Sequence, residues 1–173
     1  MAHDIQPFHS ALDYLVSLSQ VIGARRESAG ACEALRLHRE REVLGLTSGI
    51  SHERGPLGLA DNCGLNILEV RILAYLFLSE GTCPRVPVFL DVEEMCRLIA
   101  DGDEARRLAT FLEPDEVLLA SGCVMRIRVG ERWMVALTDS GREAFVSGEV
   151  AVGSPLERAM SATTVPQTHS DRW

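Results

Sequence analysis

Five arginines are the residues of this chain best placed to do chemistry: Arg126, Arg128 and Arg132 in one predicted hairpin, and Arg106 and Arg107 side by side in a short predicted helix. A guanidinium is permanently charged and pairs with carboxylate or phosphate through a planar fork of donors. Spaced this way, the five could grip the phosphates of duplex DNA or an acidic protein surface. The chemistry they offer is binding.

Catalytic groupings are poorly supported. "GISHERG" sets Ser51 beside His52 and Glu53, but neighbours in sequence seldom converge as a triad, and G-x-S-x-G fails because Glu53 holds its fifth position. The pairs Glu93-Glu94, Asp103-Glu104 and Asp115-Glu116 point to different sides of a helix and read as solvated faces. Cys32, Cys63, Cys83, Cys96 and Cys123 form no C-x-x-C, and their odd number and wide spacing fit buried thiols in a reduced compartment. The histidines at 3, 9, 38, 52 and 169 are equally dispersed, so no metal is expected. All 17 basic residues are arginine, which a GC-rich genome explains, and a P-loop lacks its lysine. With no glycine-rich dinucleotide fingerprint either, we expect a protein that is not an enzyme and needs no cofactor.

The scaffold must then present the arginines. At 173 residues and 46% apolar content the chain supports one domain with appendages, and its densest apolar stretch, "ILEVRILAYLFL", is too short to span a membrane. The N-terminus lacks a basic signal-peptide region, so a cytoplasmic protein that meets no membrane is expected. Residues 7–26 place Phe8, Leu12, Leu15, Leu18 and Ile22 at helical spacing. A second helix, "ACEALRLHREREVL", has a thinner stripe of Cys32, Leu35 and Val43, and the glycine-rich stretch after it reads as a linker. Residues 1–64 are thus an N-terminal helical extension and linker. Its apolar face folds back or pairs with a second subunit, which makes Phe8, Leu12, Leu15 and Ile22 candidates for homodimer self-association.

Residues 65–149 carry the main domain. Asn66 and Glu69 form a capping pair, Leu65 and Val70 a hydrophobic staple, and Gly81 the stop of a helix that is apolar nearly all round. A short edge strand is expected at Val88–Leu90, then a helix capped by Asp91 and Glu94, then "DEARRLATFL" ending before Pro114, with a further turn before Gly122. Met125, Ile127 and Val129 alternate with Arg126 and Arg128, Gly130-Glu131 makes a two-residue turn, and Trp133, Val135 and Leu137 resume the alternation before Thr138 caps a last helix. That phase puts Trp133 in the core with Val135 and Leu137; exposed, it would instead anchor a partner. Residues 150–173 read as a disordered tail or onward linker.

The order of helix, short strand, two helices, hairpin and helix is that of a winged helix-turn-helix. The segment "VALTDSGREAF" resembles the closing strand and helix of bacterial winged-helix regulators, which often read L-T-x-x-G-R. "LNILEVRILAYL" and "LLASGCVMRI" resemble parts of the winged-helix module ahead of some bacterial AAA-type ATPases, through Leu65, Glu69, Leu73, Leu119 and Gly122. The resemblance implies a mainly α fold with a small β-hairpin and a role as regulator or as the partner of an ATPase.

Charge discriminates between those roles. A groove-reading helix approaches phosphates, and affinity comes mainly from neutralising them. The hairpin from Val124 to Arg132 is net positive, whereas Asp91–Glu116 holds nine acids against Arg97, Arg106 and Arg107. We therefore expect a non-catalytic module for protein docking or assembly, with a partner of acidic surface; the alternative is a transcriptional regulator that binds duplex DNA.

Overall fold

The computed structural model describes residues 5–27, 31–47, 58–60, 64–81 and 86–148. Ser51, His52 and Glu53, together with Cys63, Cys83 and residues 149–173, lie outside the described residues. The described part is mainly helical, with a small antiparallel sheet. In chain order it comprises α1 (Ala11–Glu27), α2 (Ala31–Thr47), α3 (Ile67–Glu80), β1 (Leu90–Asp91), α4 (Val92–Ile99), α5 (Gly102–Thr110), α6 (Val117–Ala120), β2 (Val124–Val129), β3 (Arg132–Leu137) and α7 (Asp139–Ser147).

Helix α3 is the axis of the core. Asn66 accepts from the Leu68 amide (2.9 Å) while its own amide donates to Glu69 (2.8 Å), so two orphan donors of the first turn are satisfied. Ten of its side chains are buried, as expected of a helix apolar on every side, and Leu65 and Val70 are both covered. Burial of each such Leu, Ile or Val stabilises by about 1.5–3 kcal/mol.

The three strands lie in the order β1-β3-β2. The edge strand β1 sits at Leu90–Asp91, slightly later than the predicted Val88–Leu90, and pairs Leu90 with Val135. In the hairpin Val129 pairs with Arg132, which leaves Gly130 and Glu131 as the turn, Gly130 at φ 62°.

Thr138 accepts from the Gly141 amide (3.1 Å) and aims its hydroxyl at the carbonyls of Gly122 and Cys123 (2.5 and 3.0 Å). A Cβ at Gly141 would stand 2.1 Å from the Cys123 carbonyl oxygen, so only glycine lets α7 approach β2 this closely. Arg142 then grips the buried Glu80 through two bonds (2.8 and 2.7 Å). The L-T-x-x-G-R signature is therefore structural: it docks the last helix.

Of the two options for the N-terminal extension, folding back is the one observed. Phe8, Tyr14, Leu18, Ile22 and, from the supposed linker, Leu59 are buried in one cluster with Leu73 and Ile99, so the core crosses the expected boundary at 64/65. Linker-like composition hid Leu59, which anchors a short helical stretch at 58–60. A polar network between helices completes the docking. The buried Arg71 guanidinium donates to both oxygens of Glu42, to the Ile99 carbonyl (3.0 Å) and to Glu104 (3.0 Å). Tyr14 donates to Glu42 (2.7 Å). Burial pushes the Glu42 carboxyl up, but Arg71 and His38 outweigh that and hold it at about 2. The same burial, with Glu42 alongside, raises the Tyr14 phenol well above its ordinary value.

Candidate interaction surface

The hairpin projects past the core, and its parity decides what each arginine can do. Val124 with Leu137, Arg126 with Val135, and Arg128 with Trp133 are cross-strand pairs on one face. Near the core that face is apolar and buried. Farther out it carries two arginines and the tryptophan.

Arg126 is built into the fold. Its guanidinium donates to the Leu112 carbonyl (2.6 Å) at the end of α5, lies 3.4 Å from Glu113 and stacks 3.8 Å from the centre of the Trp133 ring. Its side chain is 11% exposed. The sequence offered Arg126 as a contact residue; burial, the Nη1 bond to Leu112 and the stacked indole make it a support for Trp133 instead, although its Nε is buried without a hydrogen-bond partner.

Trp133 departs from the sequence expectation of a core position. It shares a face with Val135 and Leu137, yet it is 42% exposed because strand alternation fixes the side and not the distance from the core. On the opposite face Ile127 and Val129 are exposed as well.

Arg128 is exposed, donating to the Gly130 carbonyl (3.2 Å) and lying 5.7 Å from the Trp133 ring. Arg132 is exposed and reaches Asp91 at 3.4 Å. Arg107 is exposed on α5, and Arg106, 84% exposed, pairs with Asp103 at 3.2 Å. The structure thus brings Arg126 and Arg128 to the Trp133 ring, sets Arg132 on the other face of the hairpin beside Asp91, and leaves Arg106 and Arg107 on α5. Trp133, Ile127 and Val129 were the signal that alternation alone could not locate.

The acids of the helix-turn-helix segment are distributed differently from their count. Asp101, the N-cap residue of α5, makes no side-chain cap bond; it pairs with Arg25, with Arg39 at 3.9 Å. Glu104 is held by Arg39 and Arg71. Both carboxylates turn toward α1, α2 and α3. What remains exposed between Asp91 and Glu116 is Glu93, Glu94, Asp103, Glu113 and Asp115, against Arg97, Arg106 and Arg107. Among the exposed residues the surplus of acid is two, smaller than the sequence count of nine against three, while Asp101, its side chain 42% exposed, is paired with Arg25 and Arg39.

The candidate self-association face is divided. Phe8 and Ile22 are buried within the chain, Phe8 beneath the Arg41 guanidinium (4.1 Å), and Leu15 packs partly on the core. Leu12, at 70% exposure, remains on the outside with Val16. Amphipathic spacing predicted one stripe; α1 packs against α2, α3 and α4, which consumes most of it.

One constellation was not visible in the sequence. Ser17 Oγ lies 2.9 Å from His38 Nδ1, and His38 Nε2 lies 3.1 Å from Glu42 Oε1, unaligned for a hydrogen bond. The order of groups is that of a Ser-His-acid relay, but Ser17 sits mid-helix, where the backbone N–H groups are bonded to carbonyls four residues back and offer no oxyanion site. Glu42 is also neutralised by Arg71. The arrangement joins α1 to α2 as buried polar packing.

Among the described residues no group of three or more His, Cys, Asp or Glu could hold a metal ion, and no helix is long and apolar enough to cross a membrane. Burial raises the Cys96 thiol to about 11 and also raises that of Cys123, which suits packing rather than nucleophilic chemistry. The chain matches no protein-family model, no curated protein and no solved structure.

Proposed function

We propose that the chain is a non-catalytic winged-helix module that docks on another protein through the hairpin and the outer face of α5. The order α3-β1-α4-α5-β2-β3, with β1 against β3, and the docking of α7 by Thr138, Gly141 and Arg142 support the winged-helix assignment. One observation carries the docking role. Arg106, Arg126 and Arg132 each lie within 3.4 Å of a carboxylate, and a half-exposed tryptophan is flanked by Arg126 and Arg128. Duplex DNA presents about one negative charge per 1.7 Å of axis and rewards uncompensated cations. Alternating charge around an aromatic anchor suits a protein surface, where Trp and Arg dominate binding. The likeness of residues 65–76 and 118–127 to modules ahead of AAA-type ATPases makes an ATPase domain or subunit the partner we assign, offering carboxylates to Arg107 and Arg128.

The alternative is a duplex-DNA-binding regulator. It gains from the inward turn of Asp101 and Glu104, which removes two charges from the face that a groove-reader would use.

The test is affinity capture from the native host with tagged chain, followed by cross-linking. A complex of fixed stoichiometry with an ATPase, released by Trp133→Ala together with Arg128→Ala and untouched by Leu12→Asp, is the expected result. A complex indifferent to the hairpin changes, or none with an ATPase, overturns the assignment.

A further inference from the structure

A groove of about 170 Å³ lies where the start of α4, the end of α5 and the hairpin meet. Val92, Ala109, Leu112 and Trp133 give it apolar walls, and Asp91, Glu93, Glu113 and Glu131 stand around it with Arg126 and Arg132. We propose that this groove receives a basic side chain of the docked protein, its alkyl stem against Val92, Leu112 and the Trp133 indole and its charge among the Glu93, Glu113 and Glu131 carboxylates.

Charge complementarity selects this occupant. Four carboxylates line the groove against two guanidiniums, and neither guanidinium is available to an incoming anion on equal terms. Arg126 already serves the Leu112 carbonyl, Glu113 and the indole, and Arg132 faces Asp91. A phosphate or a partner carboxylate would enter a surplus of like charge. The end of α5 adds the negative pole of its peptide dipoles on the same side. The volume is that of one long side chain, and Lys or Arg combines an apolar stem with a charged head in the way these walls require. The indole is stacked by Arg126 at 3.8 Å, so the incoming cation belongs with the carboxylates and not over the ring. The docked surface is then mixed: carboxylates for Arg107 and Arg128, and one basic residue for the groove.

This inference rests on the docking role and is tested apart from it. The full chain carrying Trp173→Phe leaves Trp133 as the sole indole, followed by its N–H resonance in NMR. The probes are three capped heptapeptides, Gly-Ser-Leu-X-Leu-Ser-Gly, with X as lysine, arginine or glutamate. The lysine or arginine peptide should give a saturable shift at millimolar concentration. Replacing both Glu113 and Glu131 with Gln should weaken it about fivefold, as should high salt, with the melting temperature lowered by no more than about 2–4 °C for the loss of the exposed Glu113–Arg126 pair. An equal response to the glutamate peptide, no saturation with either basic peptide up to about 10 mM, or indifference to the double Gln variant overturns the assignment of the groove. If the ATPase complex still depends on Trp133 and Arg128 in that case, the groove alone is refuted; if that dependence fails while the basic peptides bind, the docking role falls and the groove remains.

Discussion

Replacing Glu42 with Gln removes the carboxylate that compensates Arg71, a fully buried charge at the centre of the fold. Arg71 is 1% exposed and its side chain has three partners: Glu42, the Ile99 carbonyl and Glu104. Removing one member of a buried pair typically costs about 3–5 kcal/mol, because the survivor stays desolvated. Glu104 remains, so the lower end, about 3 kcal/mol, applies. For a chain of this size that is roughly 6–12 °C in melting temperature. Urea unfolding followed by circular dichroism and tryptophan emission measures it, with coincident transitions as the two-state check. The same carboxyl supplies a pH test. Its folded pKa is depressed to about 2 from the ordinary 4.5, so its contribution is fully present above pH 4.5 and disappears as pH falls toward 2. The gap between the native chain and Glu42→Gln should narrow across that window. A double change to Glu42→Leu and Arg71→Met, which removes both charges, should recover to within about 1 kcal/mol of the native chain. Stability of Glu42→Gln within about 0.5 kcal/mol of native, at neutral pH, would refute the docking of α1 and α2 onto α3.

Other changes probe other parts of the account. Gly141→Ala should destabilise by about 3 kcal/mol or more, since its Cβ meets the Cys123 carbonyl at 2.1 Å; thermal melting within 2 °C of native, on the order of measurement scatter, would show that α7 sits farther out. Phe8→Ala should cost about 3–5 kcal/mol in urea unfolding, while Leu12→Asp should cost less than about 0.5, and the reverse order would restore the free apolar stripe. Cys32, which is exposed, should react with a thiol reagent well before the buried Cys96 and Cys123, as peptide mass mapping would show; equal rates would contradict their burial.

Local grammar carried the fold. The caps at Asn66, Asp91 and Thr138, the glycine turn at Gly130 and the apolar character of α3 are all short-range signals, and each lies where local chemistry put it. The binding surface was less legible because its facts are long-range. A charge count treats Asp101 and Glu104 as surface, yet their partners Arg25 and Arg39 lie some 65 to 76 residues earlier in the chain. Alternation put Trp133 on the side of Val135 but could not say that the strand has not yet reached the core there. Arg126 and Arg128 have the same parity and different depth, so one supports the hairpin while the other faces solvent. Helical spacing found Phe8 and Ile22, but whether that stripe meets this chain or a second copy depends on the size of the core waiting for it.

The most direct measurement is the affinity of the full chain for a mixed-sequence DNA duplex at about 50 and 200 mM salt. The exposed arginines of α5 and the hairpin are interleaved with carboxylates, so binding at best weak, no stronger than millimolar at the higher salt, is predicted, with little change on replacing Arg106, Arg107, Arg128 and Arg132 with Ala. Micromolar or tighter binding that falls steeply with salt and is lost in the fourfold variant would contradict a docking module and establish a reader of duplex DNA.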